Sequence, residues 1–160
     1  AGVAKQTLYH HFAGKDELFT EAVKQMGCDI RVSLDAPDAD LRTTLLLFAE
    51  TIREKVLGEL GLSLHRVLVS EAPRVPQLVQ AIFAAGPGET ARRLRELIGR
   101  AMDEGRLRRD DPAFAADMLM SMLTGMERSR RLLGSLNPDD DAPGRAARIV
   151  DCFLRAFAPD

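Results

Sequence analysis

The chain has 160 residues, 46% hydrophobic and 29% charged, which is enough apolar material for a buried core and excludes a disordered chain. Its net charge of −2 excludes a surface given over wholly to nucleic acid, though a local basic patch remains compatible with it. Aromatics are 5% and Trp is absent, while Leu, Ala, Arg and Glu abound, a composition that favours helices over a β-sandwich or barrel.

The chain opens on Ala1-Gly2-Val3 with no initiator Met, small apolar residues that suit the middle of a motif, so sequence upstream is expected. A brief helix is predicted over Thr7 to Phe12 and is broken by Ala13-Gly14. Lys15-Asp16-Glu17 then opens a helix to about Val32, with Leu18, Phe19, Ala22, Val23, Met26 and Ile30 on one stripe. The stretch from Asp35 to Asp40 reads as a loop, after which Leu41, Leu45, Phe48, Ala49, Ile52 and Val56 mark the next helix.

Gly58 and Gly61 punctuate, and a shorter helix runs to about Ser70. Past Pro73 and Pro76, Leu78, Val79, Ile82 and Phe83 recur at helical spacing until Gly86-Pro87-Gly88, which reads as a break. Leu94, Leu97, Ile98, Ala101 and Met102 form the next apolar face, ending near Gly105. Asp110-Asp111-Pro112 caps a long helix to Leu133, an acidic loop covers Asn137 to Asp141, and Pro143 opens a last helix that Pro159 ends. No period-two pattern persists, so an all-α fold of about eight helices is expected.

The chemistry-bearing stretch is AGVAKQTLYHHFAGKDELF, from Ala1 to Phe19. A helix-turn-helix needs a glycine at its turn and an aliphatic after it, which Gly2 and Val3 supply. Leu8 and Phe12, four apart, can share the inward face of a recognition helix. Lys5, Gln6, Thr7, Tyr9 and His10 then point elsewhere: Lys and Gln suit base edges, and the hydroxyls and Lys suit phosphates. Lys15 would lie beside backbone phosphates at a helix N-terminus.

The run G-V-x-x-x-x-L-Y-x-H-F-x-x-K-x-x-L-F, carried by Gly2, Val3, Leu8, Tyr9, His11, Phe12, Lys15, Leu18 and Phe19, resembles the end of the TetR-family helix-turn-helix and the start of its next helix. Ser70 to Pro76 is a weaker echo of the family's ligand-binding region. The resemblance implies a truncated helix-turn-helix DNA-binding domain with its connecting helix over residues 1–32, followed by a helical ligand-binding and dimerisation domain over 33–160. The family's first helix and most of its second would precede Ala1, and the three lysines up to Lys24 are matched by Asp16, Glu17 and Glu21, so this polypeptide alone is expected to hold operator DNA poorly.

The resemblance also implies an effector pocket inside the helical domain, for which Phe48, Ile52, His65, Phe83, Met118 and Met122 are the candidates. Met118, Met122 and Met126 recur every four residues, a spacing that core or interface packing explains at least as well. His65 could orient a polar ligand, though a satisfied buried histidine is the commoner situation. His10 and His11 are adjacent and diverge on a helix, so no metal site and no cofactor are expected. No nucleophile–base constellation stands out, which argues against an enzyme. The Arg92–Arg95 and Arg106–Arg109 clusters interleave with acids and read as a solvated, salt-laced face, and Glu71 with Arg74 as pairing at a helix break.

Ala115, Ala116, Ser121 and Gly125 would let a neighbour approach the long helix, and the last helix has a broad apolar face, so the last two helices are expected to form a homodimer's four-helix bundle. Cys28 and Cys152 form no CxxC pair and read as free thiols. With no apolar run near the ~18 residues of a membrane helix and no signal peptide, a cytoplasmic location without membrane association is expected. The reading is a ligand-responsive transcriptional regulator, a repressor released from operator DNA by a small hydrophobic or amphipathic effector. The alternative is a helical small-molecule-binding or interaction module without DNA activity.

Overall fold

The structure, a computed structural model, describes residues 15–35 and 39–159. The helix expected over Thr7 to Phe12 lies outside them. Among the described residues there are seven α-helices and no strand: α1 (Lys15–Val32), α2 (Leu41–Leu57), α3 (Glu59–Glu71), α4 (Pro76–Phe83), α5 (Glu89–Asp103), α6 (Pro112–Leu133) and α7 (Arg145–Ala156).

The helix ends follow local chemistry. Asp40 caps α2 by accepting a hydrogen bond from the Thr43 amide at 2.9 Å. Asp111 caps α6 in the same way through the Ala113 amide at 2.8 Å, with Pro112 at a first-turn position where its missing N–H costs nothing. The last helix begins at Arg145 and not at Pro143: Gly144 takes a left-handed conformation (φ 76°) that turns the chain into the helix, and its carbonyl accepts the first helical bond, from Arg148.

Gly86-Pro87-Gly88 does not break the chain of helices as the sequence suggests. Ala84–Gly88 is one wide π turn that carries α4 straight on into α5. Pro87 cannot donate the usual i→i−4 bond, and widening the turn absorbs that loss without ending the helix.

Helix α2 is the central post, packed against α1, α3, α6 and α7. Its Leu45, Phe48, Ala49 and Ile52 meet Leu94, Ile98 and Ala101 of α5, Ala115, Leu119 and Leu123 of α6, and Val150 and Phe153 of α7 in one buried core. Each such large side chain contributes roughly 1.5–3 kcal/mol on burial. A second, smaller core joins Val23 of α1, Leu64 of α3 and Ile82 of α4. Met26 of α1 packs against both.

Candidate functional site

At the seam of the two cores lies a cavity of about 130 Å³. Helix α1 lines it with Val23, Met26, Gly27 and Ile30, spaced i, i+3, i+4, i+7 and therefore on one face. Helix α3 repeats that spacing with Gly61, Leu64, His65 and Leu68, and α6 contributes Met120, Thr124 and Arg128 from successive turns. Ile52 and Val56 of α2 form the floor, with Pro87 and Thr90 at the π turn opposite. Leu64 and Leu68 are a partition: beyond them a wider apolar groove of about 590 Å³ runs between α3, α4 and α1 past Phe19 and Leu78.

The polar groups of the cavity are few. Thr90 Oγ1 donates to the Gly86 carbonyl at 3.2 Å and Thr124 Oγ1 to the Met120 carbonyl at 3.0 Å, so both hydroxyl protons are used within the helices. Burial, and after it the nearby Arg128 charge, hold the His65 imidazole below the usual histidine range, so it is neutral at pH 7. No Asp or Glu lines the cavity.

Of the six residues expected in a pocket, Ile52 and His65 line this cavity. Phe48, one turn earlier on α2, is fully buried in the main core, and Met118 packs against the same core. Met122 faces an outer groove with Ile149 and Cys152. Phe83, at the end of α4, is 57% exposed. The structure thus brings two of the six together at the cavity. Thr124 and Arg128 share a stripe with Met120 on the face of α6 opposite to that of Met118, Met122 and Met126, so the four-residue methionine repeat gives no sign of them. Lys5, Gln6, Thr7, Tyr9 and His10, expected to face DNA, lie outside the described residues, as does the side chain of Lys15.

A second polar centre lies where α2, α6 and α7 meet. Glu127 (3% exposed) is 2.7 Å from Arg53 and 3.2 Å from Arg145, and Arg131 donates to it at 2.9 Å. Asp140 accepts from Arg130 Nε at 2.8 Å and from the Asn137 amide at 2.9 Å, and these partners hold its carboxyl well below the usual carboxylate range. A carboxylate so firmly ionised is a poor proton shuttle at neutral pH. Its role is mechanical: it fixes the acidic loop between α6 and α7, a role that the alternation of charges in the sequence does not show. The Arg92 cluster is paired within α5, to Glu89 at 2.5 Å and to Glu96.

Among the described residues no group of three or more His, Cys, Asp and Glu could hold a metal ion, and no helix is long and apolar enough to cross a membrane. Cys28 and Cys152 are free and exposed.

Helix α1 is tied to the body by more than apolar contact. Lys55 of α2 donates to Asp29 at 3.0 Å, and this bond, followed by one from Gln25, lowers the proton affinity of Asp29. On its other side Gly27 crosses the π turn at Gly86: a Cβ at Gly27 would lie 3.3 Å from the Gly86 Cα.

Comparison with known proteins gives this architecture its place. Residues 43–159 match the family described as AefR-like transcriptional repressor, C-terminal domain, and residues 1–22 match bacterial regulatory proteins, tetR family. No curated protein matches by sequence. A Mesorhizobium loti structure superposes with a TM-score of 0.77 over 97% of this chain and 81% of its own at 24% identity, a likeness of fold. The Flavonoid-responsive Regulator FrrA gives 0.71 over 99% and 82% at 26% identity. The TetR-family transcriptional regulator PfmR from Thermus thermophilus gives 0.62 over 96% and 82% at 25% identity. With its regulatory body and its opening segment both matched, the chain belongs to the TetR family of DNA-binding transcriptional regulators.

Proposed function

We propose that the protein is a repressor that leaves its operator when a small, largely apolar effector enters the cavity between α1, α3 and α6. One observation carries this reading: α1 serves both ends. Its first residues fall within the match to the DNA-binding family, which ends at residue 22, and from Val23 onward the same helix lines the cavity. A ligand that spreads the cavity pushes on Val23, Met26 and Gly27 and re-aims the segment ahead of them. An effector that prefers the splayed state lowers DNA affinity by linkage, with no chemistry needed. That a structural neighbour is a flavonoid-responsive regulator supports a small-molecule signal.

In this reading residues 1–32 form the reader and its connecting helix, with Lys5, Gln6, Thr7, Tyr9, His10 and Lys15 toward DNA. Residues 33–160 sense and dimerise. Family members typically act as dimers, and here α6 and α7 are the elements we assign to the contact. Met126, Leu133 and Phe114 stand exposed along α6, and a Cβ on Gly125 would meet nothing within 4 Å. Paired readers would then fall roughly 34 Å apart, one turn of the duplex.

The test starts from the protein expressed from its own gene. Operator DNA is selected from a random pool, and small molecules extracted from the purified protein are added back. Release of the DNA by a compound that also raises the melting temperature is expected. Retention of DNA at full occupancy by every stabilising compound sinks the reading.

A further inference from the structure

The cavity has a chemical preference that its apolar walls conceal. We propose that it selects an anionic effector, a carboxylate on a compact apolar body, held by the Arg128 guanidinium with the His65 ring beside it. This rests on the cavity being the effector site and adds the class of molecule it takes.

The argument starts from what Arg128 lacks. Around it on α6, Arg130 and Arg131 are bonded to Asp140, Asp141 and Glu127, and Glu127 faces away, toward Arg53 and Arg145. Arg128 lines the cavity, only part-exposed, and has neither ion pair nor hydrogen bond among the described residues. A guanidinium keeps its charge at any accessible pH and offers a fork of donors that suits two carboxylate oxygens. Leaving such a cation beside an apolar chamber without a counter-charge is unfavourable, and an incoming anion corrects it.

The other free polar group points the same way. With both threonine hydroxyl protons committed to helix carbonyls, the donors left to a ligand are Arg128 and the N–H of the neutral His65. No carboxylate is present to greet an amine. The chamber, at about 130 Å³, is on the scale of the ~150 Å³ apolar cavity that admits benzene. A ring or short chain fits it outright, and a longer body reaches the outer groove only by parting Leu64 and Leu68.

The test is calorimetric titration of the protein with benzoate, phenylacetate and hexanoate, each against its primary amide, and with benzylamine as the cationic counterpart. At least one carboxylate should bind ten-fold or more tightly than its amide, with benzylamine weakest. Arg128→Met should erase that preference while leaving amide binding within about two-fold, and Arg128→Lys should restore part of it, which separates charge recognition from misfolding. Amides that bind as well as carboxylates overturn the anion preference but leave the cavity as effector site. Carboxylates that bind through Arg128 without releasing DNA uphold the preference and overturn the repressor-release reading. Failure of all three carboxylates to bind overturns the anion preference.

Discussion

Gly27 of α1 crosses the π turn at Gly86 so closely that a Cβ on either would be crowded, and on Gly86 it would collide with α1. A Cβ on Gly86 would stand 2.7 Å from Val23 Cγ1, and one on Gly27 would stand 3.3 Å from the Gly86 Cα and 2.9 Å from Arg31 Nη1. The crossing sets how close α1 lies to α4 and α5, and it borders the cavity through Gly27 and Pro87.

Gly86→Ala should therefore lower stability by about 1–3 kcal/mol, the usual range for overpacking, seen as a melting temperature several degrees lower. Gly125→Ala is the control, because its Cβ meets open space on α6 and relieves the helix of a glycine. Its melting temperature should hold or rise. If both variants melt alike, the crossing is looser than it stands here.

The buried Glu127 makes a second, larger prediction. Three arginines converge on it from α2, α6 and α7. Removing the carboxylate leaves those guanidinium groups facing one another with little solvent, so Glu127→Ala should cost about 3–5 kcal/mol in urea denaturation. The exposed pair between Arg42 and Asp151, bonded at 2.7 Å, also joins α2 to α7. Cutting it with Asp151→Asn should shift the midpoint far less, and added salt should remove even that effect.

His65 gives the pH dependence. Its folded proton affinity is lowered, mainly by burial and then by Arg128, the one charged side chain that lines the cavity with it. Below the unfolded value near ~6.5 the unfolded chain binds a proton that the folded chain refuses. The contribution of His65 is thus complete above that value and is lost as pH falls from it toward the lowered folded value. Wild type minus His65→Asn, measured by chemical denaturation from pH 7.5 to 5, should decline with acid, and Arg128→Met should shrink the decline. A flat difference curve contradicts the placement of His65 against Arg128.

What could be read from the chain beforehand divides along physical lines. Periodic apolar faces and strong caps are local, so α1, α2 and α6 lie where the Leu18 to Ile30 stripe, the Leu41 to Val56 stripe and Asp111-Pro112 put them. The π turn was not legible, because Gly-Pro-Gly has the same composition whether a chain stops or bulges; the choice is made by Val23 and Gly27 packing on Gly86. His65 stood out as a rare titratable residue on an apolar stripe. Arg128 did not: among the three arginines Arg128, Arg130 and Arg131, beside Glu127, nothing in the sequence shows which one is left unpaired. That follows only from Asp140 and Glu127 engaging the others.

The outer face of α6 carries the last prediction. Met126 is 71% exposed and Leu133 81%, and seven residues apart they share one face of the helix. Large apolar side chains in such a row are costly to leave in water and mark a contact surface. In a two-fold dimer a residue near the axis meets its own copy, so one substitution places two like charges together. Met126→Asp should therefore convert a dimer to a monomer in light scattering at micromolar concentration. Because Met126 takes no part in the protomer's own core, the variant's helical circular dichroism should be unchanged. A wild-type protein that scatters as a monomer removes α6 and α7 as the dimer contact, and so does an Asp variant that stays dimeric.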